Sequence, residues 1–234
     1  MLFIHEVHRI RGARDDDFEA AYRDGWMPAL AQDQDARLLW YFKHAHGSGP
    51  AYNAVTVTAA HDPAAWGRVA DRLQRGDLRD WLRSVDDTRH GVTSKVLRPV
   101  EWSPLQRADL ATVPTTVQDH PLSIYMEDTG WPSAPLDDYV AFWGETYYPL
   151  LNARPPGERL LDIEAVFEPL YGSGRRKEAI LLQKVIDPSR LGYLLTHDTA
   201  PEHKAPGTFM HDALAYRDEW ESKLLRTASW SPRW

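Results

Sequence analysis

The stretch TSKVLRPVEWSP at residues 93–104 recurs as ESKLLRTASWSP at residues 221–232. Seven of the twelve positions are identical at this offset of 128 residues, whereas average residue usage would give about one match. A second block, FKHAHGSGPAYNAVTVTAAHDPAAWG from Phe42, aligns with FEPLYGSGRRKEAILLQKVIDPSRLG from Phe167 and keeps Gly-Ser-Gly and Asp-Pro. The sequence therefore predicts two copies of one structural unit in a single chain.

A weaker match relates the first helix of each copy. Aromatic residues and a proline recur 121 residues later: Phe18, Tyr22, Trp26 and Pro28 align with Tyr139, Trp143, Tyr147 and Pro149. Residues 105–119 are polar and have no counterpart. We thus predict a first ferredoxin-like repeat over residues 1–104, a linker over 105–119 and a second ferredoxin-like repeat over 120–234.

Each copy follows the element order β-α-β-β-α-β. It opens with an alternating apolar run, LFIHEVHRI or LSIYME, which is typical of a half-buried strand. A helix with acidic residues at its start follows, then a strand pair around the Gly-Ser-Gly turn, and then a helix that begins at Asp-Pro. A last strand completes the order, which is that of the ferredoxin-like split βαβ motif.

The last strands are expected at SKVLRPVEW (94–102) and SKLLRTASW (222–230), after helical turns at 77–87 and 209–220. The SK-x-LR and WSP motifs occur in both copies, which indicates a role in the scaffold. A four-stranded sheet of this kind carries helices on one face, and two such sheets bury their open faces against each other. The predicted fold class is α+β, with two ferredoxin-like βαββαβ repeats forming a pseudo-dimeric α+β barrel.

The chain resembles the dimeric α+β barrel superfamily. The resemblance lies in the element order, the Gly-Ser-Gly hairpin, the Asp-Pro helix start and the tryptophan near the end of each last strand. The chain is most similar to the NIPSNAP and EthD-like branches, with both halves in one chain. The resemblance implies a cavity between sheet and helices. It also implies activities that range over cofactor-free monooxygenases, cyclases, isomerases, lyases and haem enzymes, so the fold leaves the reaction open.

Composition excludes several classes of function. The formal net charge of −7 and the scattered Lys and Arg disfavour nucleic acid as a partner. No apolar run is long enough for a membrane span and the first residues are too charged for a secretory leader, so we expect a cytoplasmic protein, as a monomer or homodimer, with a small-molecule substrate. The absence of cysteine excludes disulfides, thiolate nucleophiles and Cys-ligated metals.

The candidate catalytic residues lie where the two copies differ. Period-2 alternation places His5, Tyr125 and Glu127 on the strand face opposite the purely apolar one, so we expect them to point into the barrel. A histidine, a tyrosine and a carboxylate there could exchange protons with a bound molecule. Buried, hydrogen-bonded structural groups are the alternative interpretation.

Strands two and three supply further candidates. Tyr52 and Thr56, with Gln183 in copy two, could line the cavity and hydrogen-bond a ligand, or else lie on an exposed edge. His44 and His46 have a spacing that could chelate a divalent metal, and are otherwise hydrogen-bonded or solvated residues at a loop edge.

The helices supply aromatic candidates. Trp26, Trp143 and Tyr147 could form the wall of a substrate pocket, or pack in the core as aromatics at helical spacing commonly do. His203 and His211 are candidate haem ligands. No Gly-rich phosphate loop, nucleophile elbow or HExxH motif occurs, which disfavours nucleotide and serine-hydrolase chemistry.

These observations favour an enzyme that acts on a hydrophobic, aromatic small molecule by acid/base chemistry without a bound cofactor, as a lyase, isomerase, cyclase or cofactor-free oxygenase. His5 is the expected acid/base, with Tyr52, Tyr125, Glu127 and His44 as further catalytic candidates. Two alternatives stay open: a non-catalytic small-molecule binding protein, and a barrel enzyme that depends on haem or a divalent metal. An all-apolar cavity favours the first alternative.

Overall fold

Eight antiparallel strands close a barrel whose outside is covered by helices. The computed structural model describes residues 1–155, 158–172 and 176–234, so Ser173 and Gly174 of the second Gly-Ser-Gly turn lie outside the described residues. The strands are β1 (Leu2–Ile10), β2 (Ala36–His44), β3 (Asn53–Ala60), β4 (Arg89–Pro99), β5 (Ile124–Pro132), β6 (Leu161–Tyr171), β7 (Ala179–Val185) and β8 (Arg217–Thr227). Their order around the barrel is β1-β3-β2-β8-β5-β7-β6-β4.

The first helix of each half contains a π-helical turn just before a proline. The helices of the first half are α1 (Asp15–Ala20), the π-helical turn Ala21–Trp26, α2 (Met27–Leu30), α3 (Pro63–Arg75) and α4 (Arg79–Asp86). Those of the second half are α5 (Leu136–Phe142), the π-helical turn Trp143–Tyr147, α6 (Tyr148–Asn152), α7 (Pro188–Thr196) and α8 (Phe209–Asp212). Because proline has no N–H and crowds the carbonyl four residues before it, a π-turn relieves the helix there.

Each half contributes four neighbouring strands to the barrel, in the orders β4-β1-β3-β2 and β8-β5-β7-β6. The halves join where residues 42–44 of β2 pair with β8 and where β4 pairs with β6. This architecture confirms the predicted α+β barrel. Within the described ranges, no helix is both long enough and apolar enough to cross a bilayer.

Aromatic and aliphatic side chains from all eight strands fill the barrel interior. The rings of Phe3 and Phe167 lie 4.9 Å apart, and Leu105, Leu110 and Val113 pack into the same core. The segment predicted as a linker therefore buries apolar side chains inside the barrel, which stabilises the closed form. The division into residues 1–104, 105–119 and 120–234 stays a prediction.

The repeated Trp-Ser-Pro motifs join the two halves instead of ending the last strands. β4 and β8 both end three residues before the tryptophan, so the predicted strand ends at Trp102 and Trp230 were wrong. Trp102 Nε1 donates to the Val140 carbonyl of the second half at 3.0 Å. Trp230 Nε1 donates to Glu19 Oε1 of the first half at 2.9 Å. After each last strand the chain leaves the sheet of its own half, because the indole donates to a partner on the other half.

The serines of the same motifs also cross between the halves. Ser103 Oγ accepts from the backbone N–H of Val166 at 2.9 Å, and Ser231 Oγ accepts from that of Tyr41 at 3.0 Å. Both acceptors satisfy buried backbone donors, which are costly to leave unpaired. The motifs therefore act as reciprocal ties across the barrel.

The prediction of helical turns over residues 209–220 was wrong for residues 217–220. Helical turns occupy 209–215, and β8 begins at Arg217. Because β5 continues to Pro132, it offers backbone hydrogen-bond partners to the residues from Arg217 onward, and these residues pair with it as part of β8. The turns predicted at 77–87 are confirmed as α4.

Candidate active site

His5 on β1 and Glu127 on β5 meet inside the barrel. His5 Nε2 lies 2.7 Å from Glu127 Oε2, and both side chains are buried. The distance requires a proton on Nε2, so the imidazole donates to the carboxylate. The face-to-face packing of the two halves brings these residues together, as the alternation along each strand predicts.

The Glu127 carboxylate is ionised. Burial alone would raise its pKa, but His5, Lys223 and Lys95 together hold the pKa of Glu127 well below its ordinary value. Lys223 Nζ lies 3.5 Å from Glu127 Oε1. The carboxylate thus fixes the His5 ring through Nε2, while His5 Nδ1 is buried and has no hydrogen-bond partner within the described ranges.

A second ion pair lies beside the first. Lys95 Nζ lies 2.5 Å from Glu178 Oε1, and Trp131 Nε1 donates to Glu178 Oε2 at 2.9 Å. The side chains of Lys95 and Lys223 are 16% and 21% exposed, so this end of the barrel reaches solvent. Both lysines belong to the repeated SK-x-LR motif, which the sequence indicated only as scaffold.

Tyr125 on β5 and His44 on β2 both pair with Leu225 of β8. The Tyr125 ring packs 4.9 Å from Phe42, and burial raises its pKa far enough that the hydroxyl stays protonated. His44 ends β2, and burial followed by the charge of Lys223 lowers its pKa. Among the described residues both of its buried ring nitrogens have no hydrogen-bond partner, and a Cβ at Gly49 in the following turn would collide with the ring. His44 is therefore a neutral group at the solvent end of the barrel.

Thr56 and Trp26 lie outside the barrel, in the layer between the sheet and the helices of the first half. Thr56 Oγ1 is 3.1 Å from His8 Nε2. Trp26 stacks on Trp81 with ring centroids 4.8 Å apart, within the helix-side core. Neither side chain can contact a molecule beside His5, because β1 and β3 separate the two spaces.

Trp143, Tyr147 and Gln183 lie in the corresponding layer of the second half. Tyr147 Oη donates to Gln183 Oε1 at 2.8 Å, and Gln183 Nε2 donates to Asp128 Oδ2 at 3.0 Å. Trp143 packs against Tyr139 at 4.4 Å. The structure therefore divides the predicted substrate-binding residues between two layers, neither of which opens into the barrel.

Tyr52 and His46 do not belong to any of these clusters. Tyr52 precedes β3, has a left-handed φ of 58° and is 56% exposed, so the prediction that it lines a cavity was wrong. His46 is exposed in the turn after β2. In the part of the chain that the structure describes, no group of three or more His, Cys, Asp or Glu side chains is arranged to hold a metal ion.

The candidate haem ligands do not fit a haem site. A haem iron needs an axial side chain that faces a buried slot for the macrocycle. His203 and His211 are both exposed, and His211 Nδ1 lies 2.9 Å from Asp212. The helix-side layer of the second half is instead filled by stacked rings, such as Tyr147 on Phe209 at 4.5 Å.

The helix side of the sheet carries polar groups that were not predicted from the sequence. The face of β1 taken as purely apolar continues into Glu6 and His8, and His8 is fully buried. Burial and the charge of Arg89 lower the pKa of His8 well below its ordinary value, so its imidazole is neutral. Arg89 and Arg217 are themselves related by the 128-residue offset, a signal that the repeat comparison could have used.

No protein-family model and no curated protein matches the sequence. Among solved structures, a proposed monooxygenase from Lactobacillus acidophilus NCFM is similar at a TM-score of 0.58 and 10% identity, over 98% of this chain and 96% of that chain. An anthrone oxidase-like protein gives 0.58 and 10%, over 97% and 91%. The chlorite dismutase of Candidatus Nitrospira defluvii gives 0.53 and 6%, over 97% and 91%. The chain thus has the dimeric α+β barrel fold, with both halves in one polypeptide.

Proposed function

We propose that the chain is an enzyme that removes a proton from an aromatic small molecule bound in the solvent end of the barrel, with His5 as the base. The observation that carries this proposal is the His5–Glu127 hydrogen bond of 2.7 Å, together with the buried and unpartnered Nδ1 on the other side of the ring. A carboxylate that fixes one imidazole nitrogen leaves the other as an oriented acceptor for a substrate proton.

In the proposed step, His5 Nδ1 takes a proton from an acidic C–H or O–H bond. The electron pair of that bond stays on the substrate and delocalises onto a conjugated oxygen. The imidazolium that forms is stabilised by the ionised Glu127, and Lys95 and Lys223 supply positive charge for the substrate anion. Lyase, isomerase, cyclase and oxygenase reactions can all begin with this step, and none of its parts requires a bound cofactor.

Aromatic rings pack in the barrel interior below the ion pair, next to the proposed binding region. Phe3, Phe42, Tyr125 and Phe167 present their rings to the same interior. These rings are buried against one another, so they form an apolar floor beneath the ion pair and exclude water from the reacting atoms on that side. The fold similarity to an anthrone oxidase-like protein suggests anthrone as the first probe, because its methylene protons are acidic through conjugation to a carbonyl.

Deuterium exchange tests the proton-abstraction step without assuming the later reaction. Anthrone is incubated with the protein in D₂O without oxygen, and its deuterium content is followed by mass spectrometry. We expect the wild-type protein to accelerate exchange, and both His5→Ala and Glu127→Gln to lower the enzymatic rate by about 10²-fold or more. The control is His61→Ala, whose side chain is 69% exposed.

Two results would refute the assignment. Exchange that is unaffected by His5→Ala would show that another group takes the proton. Anthrone that binds the wild-type protein without any acceleration of exchange would favour the non-catalytic binding protein instead. Oxygen consumption in a parallel aerobic assay then distinguishes an oxygenase from the other reaction classes.

A further inference from the structure

The helix layer outside the second half is shorter than the layer outside the first half. α3 covers Pro63–Arg75, whereas its counterpart α7 covers Pro188–Thr196 and ends about one turn earlier. α8 (Phe209–Asp212) is half as long as α4 (Arg79–Asp86). Side chains at corresponding places in the two layers therefore do not receive the same cover.

The apolar side of α7 is exposed at positions that α3 buries. In the first half, Val69 of α3 is fully buried in one cluster with Leu78 and Val85, which lie at the two ends of α4. Its counterpart 125 residues later is Leu194, which is 47% exposed, and Leu195 next to it is 63% exposed. α7 therefore lacks the cover that α4 gives to α3.

Two further exposed side chains extend this apolar surface. Tyr193 is 64% exposed at the place where the first half has Arg68, whose guanidinium is held in an ion pair. Leu150 on α6 is 55% exposed. Its neighbour Leu151 packs in one cluster with Leu191 of α7, so α6 and α7 lie side by side. The second half thus carries apolar groups where the first half has charge or cover.

These exposed side chains form one surface, which we call the α7 patch: Leu150, Tyr193, Leu194 and Leu195. Their exposed fractions correspond to on the order of 400 Å² of apolar surface, which is the size of the largest patch on a typical monomer and commonly marks a binding surface. A standard protein interface covers about 800 Å² on each partner, with an apolar core inside a polar rim. The α7 patch therefore has the area of an interface core.

The charges around α7 indicate that the partner is a second copy of the chain. Arg190 lies four residues before Leu194, and Asp198 lies four residues after it. Asp198 is exposed and has no ion-pair partner among the described residues. When two antiparallel copies of α7 cross at Leu194, each Arg190 faces Asp198 of the other copy. The surface is thus complementary to itself, as an isologous interface requires.

We propose that the α7 patch is the interface of a homodimer, in which the α7 helices of two copies pack antiparallel across a two-fold axis. Each copy then covers Leu194 and Leu195 of the other, as α4 covers Val69 within the first half. The interface lies in the outer layer of the second half. It does not involve the barrel interior, so this proposal does not rest on the proposed function.

Analytical ultracentrifugation of the full chain over a range of concentrations tests the association. We expect a monomer–dimer equilibrium with a Kd in the micromolar range or below. Leu195→Glu should raise the Kd by about 10²-fold or more, because the two-fold axis brings two unpaired charges into the interface. The matched control is Leu214→Glu, since Leu214 is 68% exposed and lies on the turn Ala213–Ala215, outside the patch. This variant should associate as the wild type does.

A charge exchange tests the antiparallel arrangement. Asp198→Arg places like charges opposite each other at both ends of the helix pair and should weaken association about tenfold. Adding Arg190→Glu to this variant exchanges the two charges and should restore the wild-type Kd. Both positions are exposed and leave the apolar patch unchanged, so folding of these variants is not at risk.

Three outcomes would overturn the proposal. The first is a wild-type protein that stays monomeric up to about 200 μM, where a micromolar Kd gives mostly dimer. The second is an equal Kd for Leu195→Glu and Leu214→Glu, which would place the interface elsewhere. The third is a failure of the charge exchange to restore association, which excludes the antiparallel pair. If Leu195→Glu does not fold, the wild-type association and the charge exchange decide the question.

Discussion

Replacing His8 with asparagine is expected to remove an acid-induced loss of stability. His8 is fully buried, and burial, Arg89 and His5 lower its pKa well below its ordinary value. In the unfolded chain its pKa returns to about 6.5. As the pH falls below that value, the unfolded chain takes up a proton that the folded protein does not. The contribution of His8 to the free energy of unfolding is therefore complete above about pH 6.5 and decreases as the pH falls towards the folded pKa.

The size of the effect follows from this difference in proton uptake. Between about pH 7.5 and pH 5.5, a histidine that stays neutral in the folded state lowers the free energy of unfolding by about 1.4 kcal/mol. Glu6 acts in the opposite sense, because burial raises its pKa and the folded state then binds the additional proton. The comparison of two proteins, rather than the slope of one, isolates His8 from Glu6 and from the other carboxylates.

The measurement is urea unfolding of wild type, His8→Asn and the exposed control His61→Asn at both pH values, with the dependence on urea checked for constancy. Asparagine keeps an acceptor at the position of Nδ1, so the variant retains the hydrogen bond from Arg89. We expect wild type and His61→Asn to lose about 1.4 kcal/mol more than His8→Asn on acidification. Equal losses in all three proteins would refute the neutral, buried state of His8.

Further predictions concern the turns and the ties between the halves. Gly47→Ala should lower the free energy of unfolding by about 1 kcal/mol, because φ is 80° but no atom lies within 4 Å of the new methyl group. Gly172→Ala should lower it by more, because φ is 91° and the new methyl group collides with the Ser94 carbonyl. Equal costs in urea unfolding would contradict the close approach at Gly172. Ser103→Ala and Ser231→Ala each leave a buried backbone N–H of the opposite half unpaired and should cost about 1–3 kcal/mol in the same assay. A cost within error of zero for both would show that the serines do not join the halves.

The fold could be predicted because its signals are local and occur twice. Alternation with period two along β1 and β5 is enough to place His5 and Glu127 on one face, since successive strand residues point to opposite sides. The repeat then predicts two such sheets in one chain. Because their open apolar faces must be buried, the two sheets are expected to pack together. Those steps need no knowledge of distant contacts.

The parts of the site that were missed depend on distant contacts. Alternation places Thr56 with Thr58 on one face of β3 but cannot say which face lies inside the barrel, and both point to the helices. Alternation also does not show that Tyr52 falls outside β3, where its left-handed φ of 58° interrupts the extended backbone. Nothing in the sequence around Lys95 of the SK-x-LR motif predicts that Glu178 lies beside it.

The pairing of His5 with Glu127 depends on the two halves having different sequences. Both residues occupy the same place in their own half, because His5 pairs with Lys95 on β4 and Glu127 pairs with Lys223 on β8. In a barrel made of two identical subunits, the residue at this place would face its own copy across the axis. Two carboxylates at this distance could not both ionise, and two imidazoles would leave neither ring fixed by a charge. A single chain can place an acid opposite a base there, and the resulting hydrogen bond orients one imidazole for proton transfer.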